Sequence, residues 1–229
     1  MQYTDGIGIQ ATQTDLVALL AFAKDDKDAK ISVRVENGKL LAWATCGSAA
    51  VYHHGETWNG SGKPSQSCHN WQISTDAIEM IKKGMSSGDE VFFRTDSKLS
   101  IFDAEIRSID TAEKKPPIGL DGFVCEQLEL DLPAFIPDRP GRRTGEVPAS
   151  AVAIAFTVLE KLKKVCKAAD TEAARFYFPS DPHKPVYVEV DKPSRLSDEE
   201  QPRWVAVLMP LRLEEAAVSD VRDDDLESN

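Results

Sequence analysis

A group of lysines between residues 161 and 167 has the type and spacing needed to contact phosphate groups. If successive residues lie about 100° apart around a helix, one arc holds only apolar and small side chains, and the lysines lie outside it. Flexible cations on a helix suit sequence-independent contact with nucleic acid, although an ordinary solvated helix face is also lysine-rich. The arc consists of Ala155, Leu159, Leu162, Cys166 and Ala169, and the lysines are Lys161, Lys163, Lys164 and Lys167.

Further cations lie near the ends of predicted helices. Lys82 and Lys83 close a second helix, and Arg142 and Arg143 precede the helix that carries the four lysines. A first helix offers only Lys24, near its end. Apart from Lys24, these residues complete the set of candidate phosphate contacts.

The net charge of −11 at first argues against nucleic acid, because phosphates repel an acidic protein. The charge is unevenly distributed, however. Residues 1–113 carry 11 basic and 16 acidic side chains, residues 114–213 carry 15 of each, and residues 214–229 carry 1 and 7. More than half of the excess therefore lies in the last sixteen residues, which are predicted to form a disordered acidic tail.

Catalytic and metal-binding patterns are weak. The sequence contains no GxSxG, GxxxxGK[ST], GxGxxG or HExxH motif, and its carboxylates form no recognisable pair. A metal site could be drawn from a set of cysteines and histidines, but their spacing matches no common zinc module. We therefore expect no enzymatic activity and no cofactor. That set is Cys46, His53, His54, Cys68 and His69.

The cellular location follows from what the sequence lacks. No apolar run approaches the roughly 18 residues of a membrane span, and the N-terminus has no secretory-signal pattern. The four cysteines include no CxxC pair and are expected to be reduced thiols. These features favour a cytoplasmic protein.

Three helices are predicted to position the candidate residues. The first follows a cap at Thr14 and Asp15, the second runs from Thr75 to Gly84, and the third spans about 149–169. The second is predicted to begin with a capping box of Asp76 and Glu79. The apolar face of the first helix is predicted from Leu16, Leu19, Leu20 and Ala23, and that of the second from Ala77, Ile78 and Ile81.

Strands fill most of the remaining sequence, so the predicted class is α+β and rich in strands. Asn37-Gly38 between two apolar runs predicts a β-hairpin. The order strand–helix–strand–strand–strand occurs twice within residues 1–113, which indicates an internal repeat. We expect a first domain over 1–113, a second over 114–213 and the tail over 214–229. The other strands are predicted at 31–35, 40–43, 49–52, 71–73, 90–94, 99–102, 104–109, 123–130, 175–178, 186–190 and 204–211.

The end of the second predicted domain resembles a known family. The segment Leu208-Met209-Pro210-Leu211-Arg212-Leu213 follows a strand and a polar loop. It is similar to the closing strand of bacterial DNA polymerase sliding clamps (the processivity β subunit), which ends in a Val-Met-Pro-Met-Arg-Leu-like sequence. Leucine here replaces the leading Val and the second Met. The repeated strand–helix–strand–strand–strand unit is also how each clamp domain is built.

This resemblance implies a function. Such clamps are closed rings whose strands form the outer wall and whose helices line a hole around duplex DNA. Family rings contain six domains, so a chain of two domains implies a homotrimer. The protein would tether a polymerase to DNA by topology and would bind a polymerase and a clamp loader. The helix lysines and Arg142 and Arg143 would then face DNA.

The resemblance also implies a partner-binding pocket. In clamps the closing segment helps to wall an apolar pocket for a short linear peptide, and a proline there exposes apolar side chains. Val205 and Val207 are expected to be ordinary core. The pocket candidates are Met209, Pro210, Leu211 and Arg212.

One departure and one alternative remain. No amphipathic helix is predicted in residues 114–147, because prolines interrupt every candidate. Either this part of the second domain is reduced to strands and lacks one helix, or the second domain is not a full clamp domain. The alternative function is a β-rich peptide-binding or assembly module that does not bind DNA.

Overall fold

The computed structural model describes residues 7–23, 30–36, 39–46, 48–59, 69–95, 101–108, 110–111, 113–126, 152–181, 183–192 and 202–211. Within these ranges three helices accompany twelve strands, which confirms the α+β class. The helices are α1 (Gln13–Ala23), α2 (Thr75–Gly84) and α3 (Phe156–Ala168). The strands are β1 (Ile7–Thr12), β2 (Lys30–Glu36), β3 (Lys39–Thr45), β4 (Ala49–Asn59), β5 (His69–Ser74), β6 (Asp89–Thr95), β7 (Ile101–Ser108), β8 (Ile118–Gly119), β9 (Val124–Glu126), β10 (Arg175–Tyr177), β11 (Val186–Val190) and β12 (Trp204–Leu208).

All pairs among these strands are antiparallel, and they join the twelve strands into one branched sheet. The order is β8-β7-β6-β1-β4-β3-β2-β5-β9, and β12, β11 and β10 branch from β4. The sheet branches at β4, because one edge of this strand pairs with β3 and its other edge pairs with two strands. On that second edge, residues 49–53 pair with β12 and residues 57–59 pair with β1.

The internal repeat is present and its two copies are interlocked. The first strand of each copy pairs with the second strand of the other, as β1 with β6 and β5 with β2. In the first copy, the last strand β4 pairs with both β3 and β1. In the second copy, two short strands share this role, since β8 pairs with β7 and β9 pairs with β5. The order helix–strand–strand–strand then recurs in α3, β10, β11 and β12.

Helix α1 lies at the centre of the helix layer. It packs against α2, α3 and strands β1 to β4, and none of its residues is exposed. The predicted apolar face of Leu16, Leu19, Leu20 and Ala23 is buried, and burial extends around the rest of the helix. The run Leu16–Ala23 is almost wholly apolar, and packing on several sides is how such a helix is buried.

The helix caps lie earlier than predicted. Thr12 caps α1, since its Oγ1 accepts the Asp15 N–H at 3.2 Å while its own N–H donates to Asp15 Oδ2 at 2.9 Å. This exchange is a capping box with aspartate at its third helical position. Ser74 caps α2, because its Oγ accepts the Ala77 N–H at 3.3 Å. The sequence offers several adjacent Ser, Thr and Asp residues at both sites, and pattern alone does not choose among them.

Three predicted boundaries also change. The expected strands at 99–102 and 104–109 are one strand, β7, because Asp103 sits within the ladder opposite Arg94. Strand β12 ends at Leu208 rather than residue 211, since Pro210 has no N–H to continue a ladder. Helix α3 begins at Phe156 rather than near 149.

Strand pairing crosses the predicted domain boundary at residue 113. Strands β8 and β9 pair with β7 and β5, so residues 118–126 share sheets with the first domain. Residues 113–126 contain no helix, and residues 127–147 lie outside the described ranges, so the missing helix stays a prediction. The tail at 214–229 also lies outside them. No helix in the described ranges is long and apolar enough to cross a bilayer.

Candidate functional site

Helix α3 separates a buried side from a cationic one. Val158, Leu162, Val165 and Ala168 are buried in the core, and the helix packs against α1. Residues Lys163, Lys164 and Lys167 are exposed, and Lys161 is half-buried. We call the three exposed lysines the lysine face. Of the predicted apolar arc, Ala155, Leu159 and Cys166 are only half-buried, so the buried stripe is shifted by about one residue from the predicted one.

The α2 lysines stand on a less basic helix. Lys83 is exposed and Lys82 half-buried, but exposed Asp76 and half-buried Glu79 share the same helix. Helix α3 instead carries four lysines and the single acidic residue Glu160. Since α2 and α3 both pack against α1, the cations lie on either side of a buried central helix. Arg142 and Arg143 lie outside the described residues.

The predicted pocket residues form an exposed apolar end to strand β12. Met209 is 40% exposed, Leu211 is 49% exposed and Pro210 is half-buried. Their backbone is held on two sides, because the Met209 N–H donates to Ser48 O at 2.8 Å and the Leu211 N–H donates to Ala153 O at 2.8 Å. Arg212 lies outside the described residues, whereas Val205 and Val207 are buried as expected.

Two phenylalanines near this strand end were not predicted as site residues. Phe156 is 84% exposed at the start of α3, three residues after the Ala153 carbonyl that binds Leu211. Phe178 is 45% exposed, and its ring stacks on Phe176 with centroids 5.9 Å apart. It directly follows β10, at the end of the sheet where Val186 of β11 faces Leu208 of β12.

These exposed side chains define a second surface, the strand-end patch. Exposed apolar residues grouped at one place on a protein surface often mark an interaction site, and these residues lie around the end of β12. The only sequence signal for the phenylalanines was their apolar type, with Phe156 inside the third predicted helix and Phe178 at the end of a predicted strand. That signal gives no exposure, so structure was needed to find them. The patch comprises Phe156, Phe178, Met209 and Leu211.

A buried polar cluster anchors the other end of β12. The Arg203 guanidinium donates to both carboxylate oxygens of Asp15 at 2.9 and 3.1 Å, and its Nε donates to His53 Nε2 at 3.4 Å. The Arg203 N–H donates to Asp191 Oδ2 at 2.8 Å. The His53 ring also packs against Trp204, with centroids 4.4 Å apart. Helix α1, β4 and β11 thus all hold the start of β12.

Burial of His53 makes folding sensitive to acid. Burial lowers its pKa to about 4 even though the Asp15 carboxylate opposes the shift. Because the unfolded imidazole has a pKa near 6.5, the unfolded state takes up a proton first as the pH falls. Stability is therefore complete above about pH 6.5 and is lost as the pH falls toward 4.

We expect His53 to lower the free energy of unfolding by about 2 kcal/mol between pH 7.5 and pH 5. Urea unfolding of the wild type and of His53→Gln at both values measures this loss. The variant should show a smaller loss by that amount, with the remainder including His54, whose pKa burial also lowers to about 4. An equal loss in both proteins would refute the assignment.

The possible metal set does not come together in the described residues. His53 faces Arg203, and His69 lies on β5, separated from β4 by two intervening strands. Among the described residues, no group of three His, Cys, Asp or Glu side chains could hold a metal ion. Cys68 lies outside the described ranges.

Comparison with known proteins identifies the fold. No protein-family model and no curated protein sequence matches the chain. Among solved structures, the DNA polymerase III subunit beta from Pseudomonas aeruginosa is similar at 15% identity and a TM-score of 0.54, over 90% of this chain and 66% of that chain. The sliding clamp from Bacillus subtilis is similar at 11% identity and a TM-score of 0.55, over 90% and 64%. The beta subunit from Thermotoga maritima is similar at 10% identity and a TM-score of 0.52, over 90% and 66%.

The resemblance seen in the strand-end motif thus extends through the whole architecture. This chain spans slightly less than two thirds of the length of those solved clamps. The strand-rich repeats and the helix layer correspond to them over nine tenths of the present chain. The chain has the fold of the bacterial DNA polymerase sliding clamps.

Proposed function

We propose that this protein is a DNA sliding clamp that encircles duplex DNA and tethers a replicative polymerase through a short peptide. The observation that carries the proposal is the lysine face on α3, which lies in the helix layer of a clamp fold. A clamp acts by topology and needs no catalytic residues, in keeping with a sequence that has no catalytic motif.

The lysine face suits a clamp because its contacts carry no sequence information. Lysine ammonium groups on flexible stems meet phosphates as point charges, which lets a protein slide along the duplex. The chain's negative total charge limits simple adhesion to DNA. Retention would therefore depend on closure of the ring more than on affinity.

The strand-end patch is the proposed site for the partner peptide. Met209 and Leu211 stand on backbone fixed by Ser48 and Ala153, so this part of the surface is formed before the partner arrives. Preorganisation of this kind lowers the entropy cost of binding a flexible peptide. A polymerase or clamp loader would insert apolar anchors here.

A ring of this chain would be a homotrimer. The resemblance implies six domains per ring, so a chain of two domains would close the ring as three copies. Light scattering at tens of micromolar should give a particle of three 25.2 kDa chains. A strictly monomeric protein would favour the β-rich peptide-binding module instead.

A further inference from the structure

The lysine face and the acidic segment at 214–229 have opposite charge, and the segment follows Leu211, whose N–H is hydrogen-bonded to Ala153 just before α3. That segment contains seven acidic residues and one arginine. Helix α3 carries four lysines against one glutamate, and three of those lysines are exposed. The lysine face and the acidic segment are therefore complementary in charge.

Chain connectivity brings the two together. The last described residue, Leu211, donates its N–H to Ala153 O at 2.8 Å. Helix α3 begins at Phe156, three residues after Ala153. Lys163 lies about 10 Å along the helix axis from Phe156, at about 1.5 Å per residue. Twelve residues connect Leu211 to Asp223, and such a length can span up to about 40 Å. The acidic groups can therefore reach every lysine of the face.

We infer that the acidic segment 214–229 is an internal competitor of DNA for the lysine face of α3. Its carboxylates would occupy Lys163, Lys164 and Lys167 when no duplex is present, and phosphates would displace them. The inference rests on the proposed DNA contact by α3. Its consequence is that DNA not enclosed by the ring binds weakly, whereas enclosed DNA, at high local concentration, displaces the segment.

Salt dependence follows from the same charges. Surface charges in 0.15 M salt are screened beyond about 8 Å, so the competition requires close contact of carboxylates with lysines. Both the segment and the duplex lose affinity as salt rises. The inhibitory effect is therefore largest at low salt.

The test uses full-length chains with an amide segment, in which Glu214, Glu215 and Glu227 become Gln and Asp220, Asp223, Asp224 and Asp225 become Asn. We expect this chain to bind a short linear duplex several-fold more tightly than the wild type at low salt, with the difference shrinking as salt rises. The gain should vanish in the Lys163→Gln, Lys164→Gln, Lys167→Gln background. It should persist in a matched control with exposed Lys30, Lys39 and Lys184 changed to Gln. Equal duplex affinities for the wild-type and amide segments, or a gain that survives loss of the lysine face, would overturn the inference.

A second readout separates this inference from the proposed function. A labelled peptide of residues 214–229, followed by fluorescence anisotropy, should bind the amide-segment chain and lose binding when the lysine face is changed to Gln. Peptide binding without any duplex binding would leave the competitor contact standing and would reject the DNA function. Duplex binding through the lysine face without peptide binding would leave the DNA function standing and would overturn the competitor.

Discussion

Changing Lys163, Lys164 and Lys167 to Glu is expected to abolish retention of the protein on circular duplex DNA. The three side chains are exposed, so the change reverses charge without disturbing the buried stripe of α3. Each lost phosphate contact means that fewer counterions are released on binding, which weakens the affinity for DNA, and the new carboxylates repel the phosphates. We expect at least a tenfold loss, measured as the protein that co-elutes with a nicked circular plasmid after clamp loading.

The control is a chain with the same change in total charge at other places. Lys30, Lys39 and Lys184 are exposed at the starts of β2 and β3 and in the connection before β11. Their reversal to Glu should leave most retention intact. Thermal unfolding should show that both triple variants stay folded. Retention that falls equally in the two variants would mean that total charge, rather than the helix, controls DNA contact.

Truncating Met209 and Leu211 together to Ala is expected to weaken binding of a polymerase-derived linear peptide by tenfold to a hundredfold. Met209 is 40% exposed and Leu211 49% exposed in the absence of a partner, so truncation costs the fold less than it would at a core position. Truncating an anchor residue at an interface costs about 1 kcal/mol, so the double truncation costs about 2 kcal/mol, or about thirtyfold in affinity. Isothermal titration with the peptide measures the change.

The phenylalanines offer a sharper comparison at the same surface. Phe156→Ala should weaken the peptide as well, since its ring stands at the Leu211 side of the strand-end patch. Phe123→Ala is the matched control, because this 38%-exposed ring lies in the turn between β8 and β9 and outside the patch. Equal peptide affinity for the wild type and the Met209, Leu211 double variant would remove the patch as the partner site.

Much of the fold can be predicted from the sequence, because in those elements the local patterns agree with the tertiary packing. The two-residue connection at Asn37-Gly38 is confirmed by the pairing of Glu36 with Lys39. Strand β11 coincides with its predicted range, since four of its five residues are Val or Tyr, which favour strands, and all five are buried. The first strand–helix–strand–strand–strand unit is likewise present in its predicted order, whereas the second is completed by β8 and β9, beyond residue 113.

The errors share a physical cause. Periodicity predicts one buried side of a helix, but α1 is covered by α2, α3 and the sheet together, which only tertiary structure reveals. The Arg203–Asp15 pair joins residues 188 positions apart and leaves no local signal. The pairing of β12 with β4 is equally non-local, so the junction that positions the strand-end patch could not be predicted.

The candidate site was partly accessible to sequence reasoning. Lysine spacing identified the cationic side of α3 because charged side chains rarely lie in a core. The motif around Met209 predicted a binding site at the strand end, because the motif resembles the closing strand of clamps. Exposure of Phe156 and Phe178 could not be predicted, because an apolar residue is by default expected to be buried.

Retention on DNA before and after linearisation tests the central claim most directly. A clamp loaded onto a circular plasmid can leave only by opening, whereas a linear duplex offers free ends. The account predicts that the protein co-elutes with the circle at moderate salt and is lost when a single restriction cut is made. Equal retention on the circular and the cut plasmid would contradict encirclement, because it would show that affinity alone holds the protein on DNA.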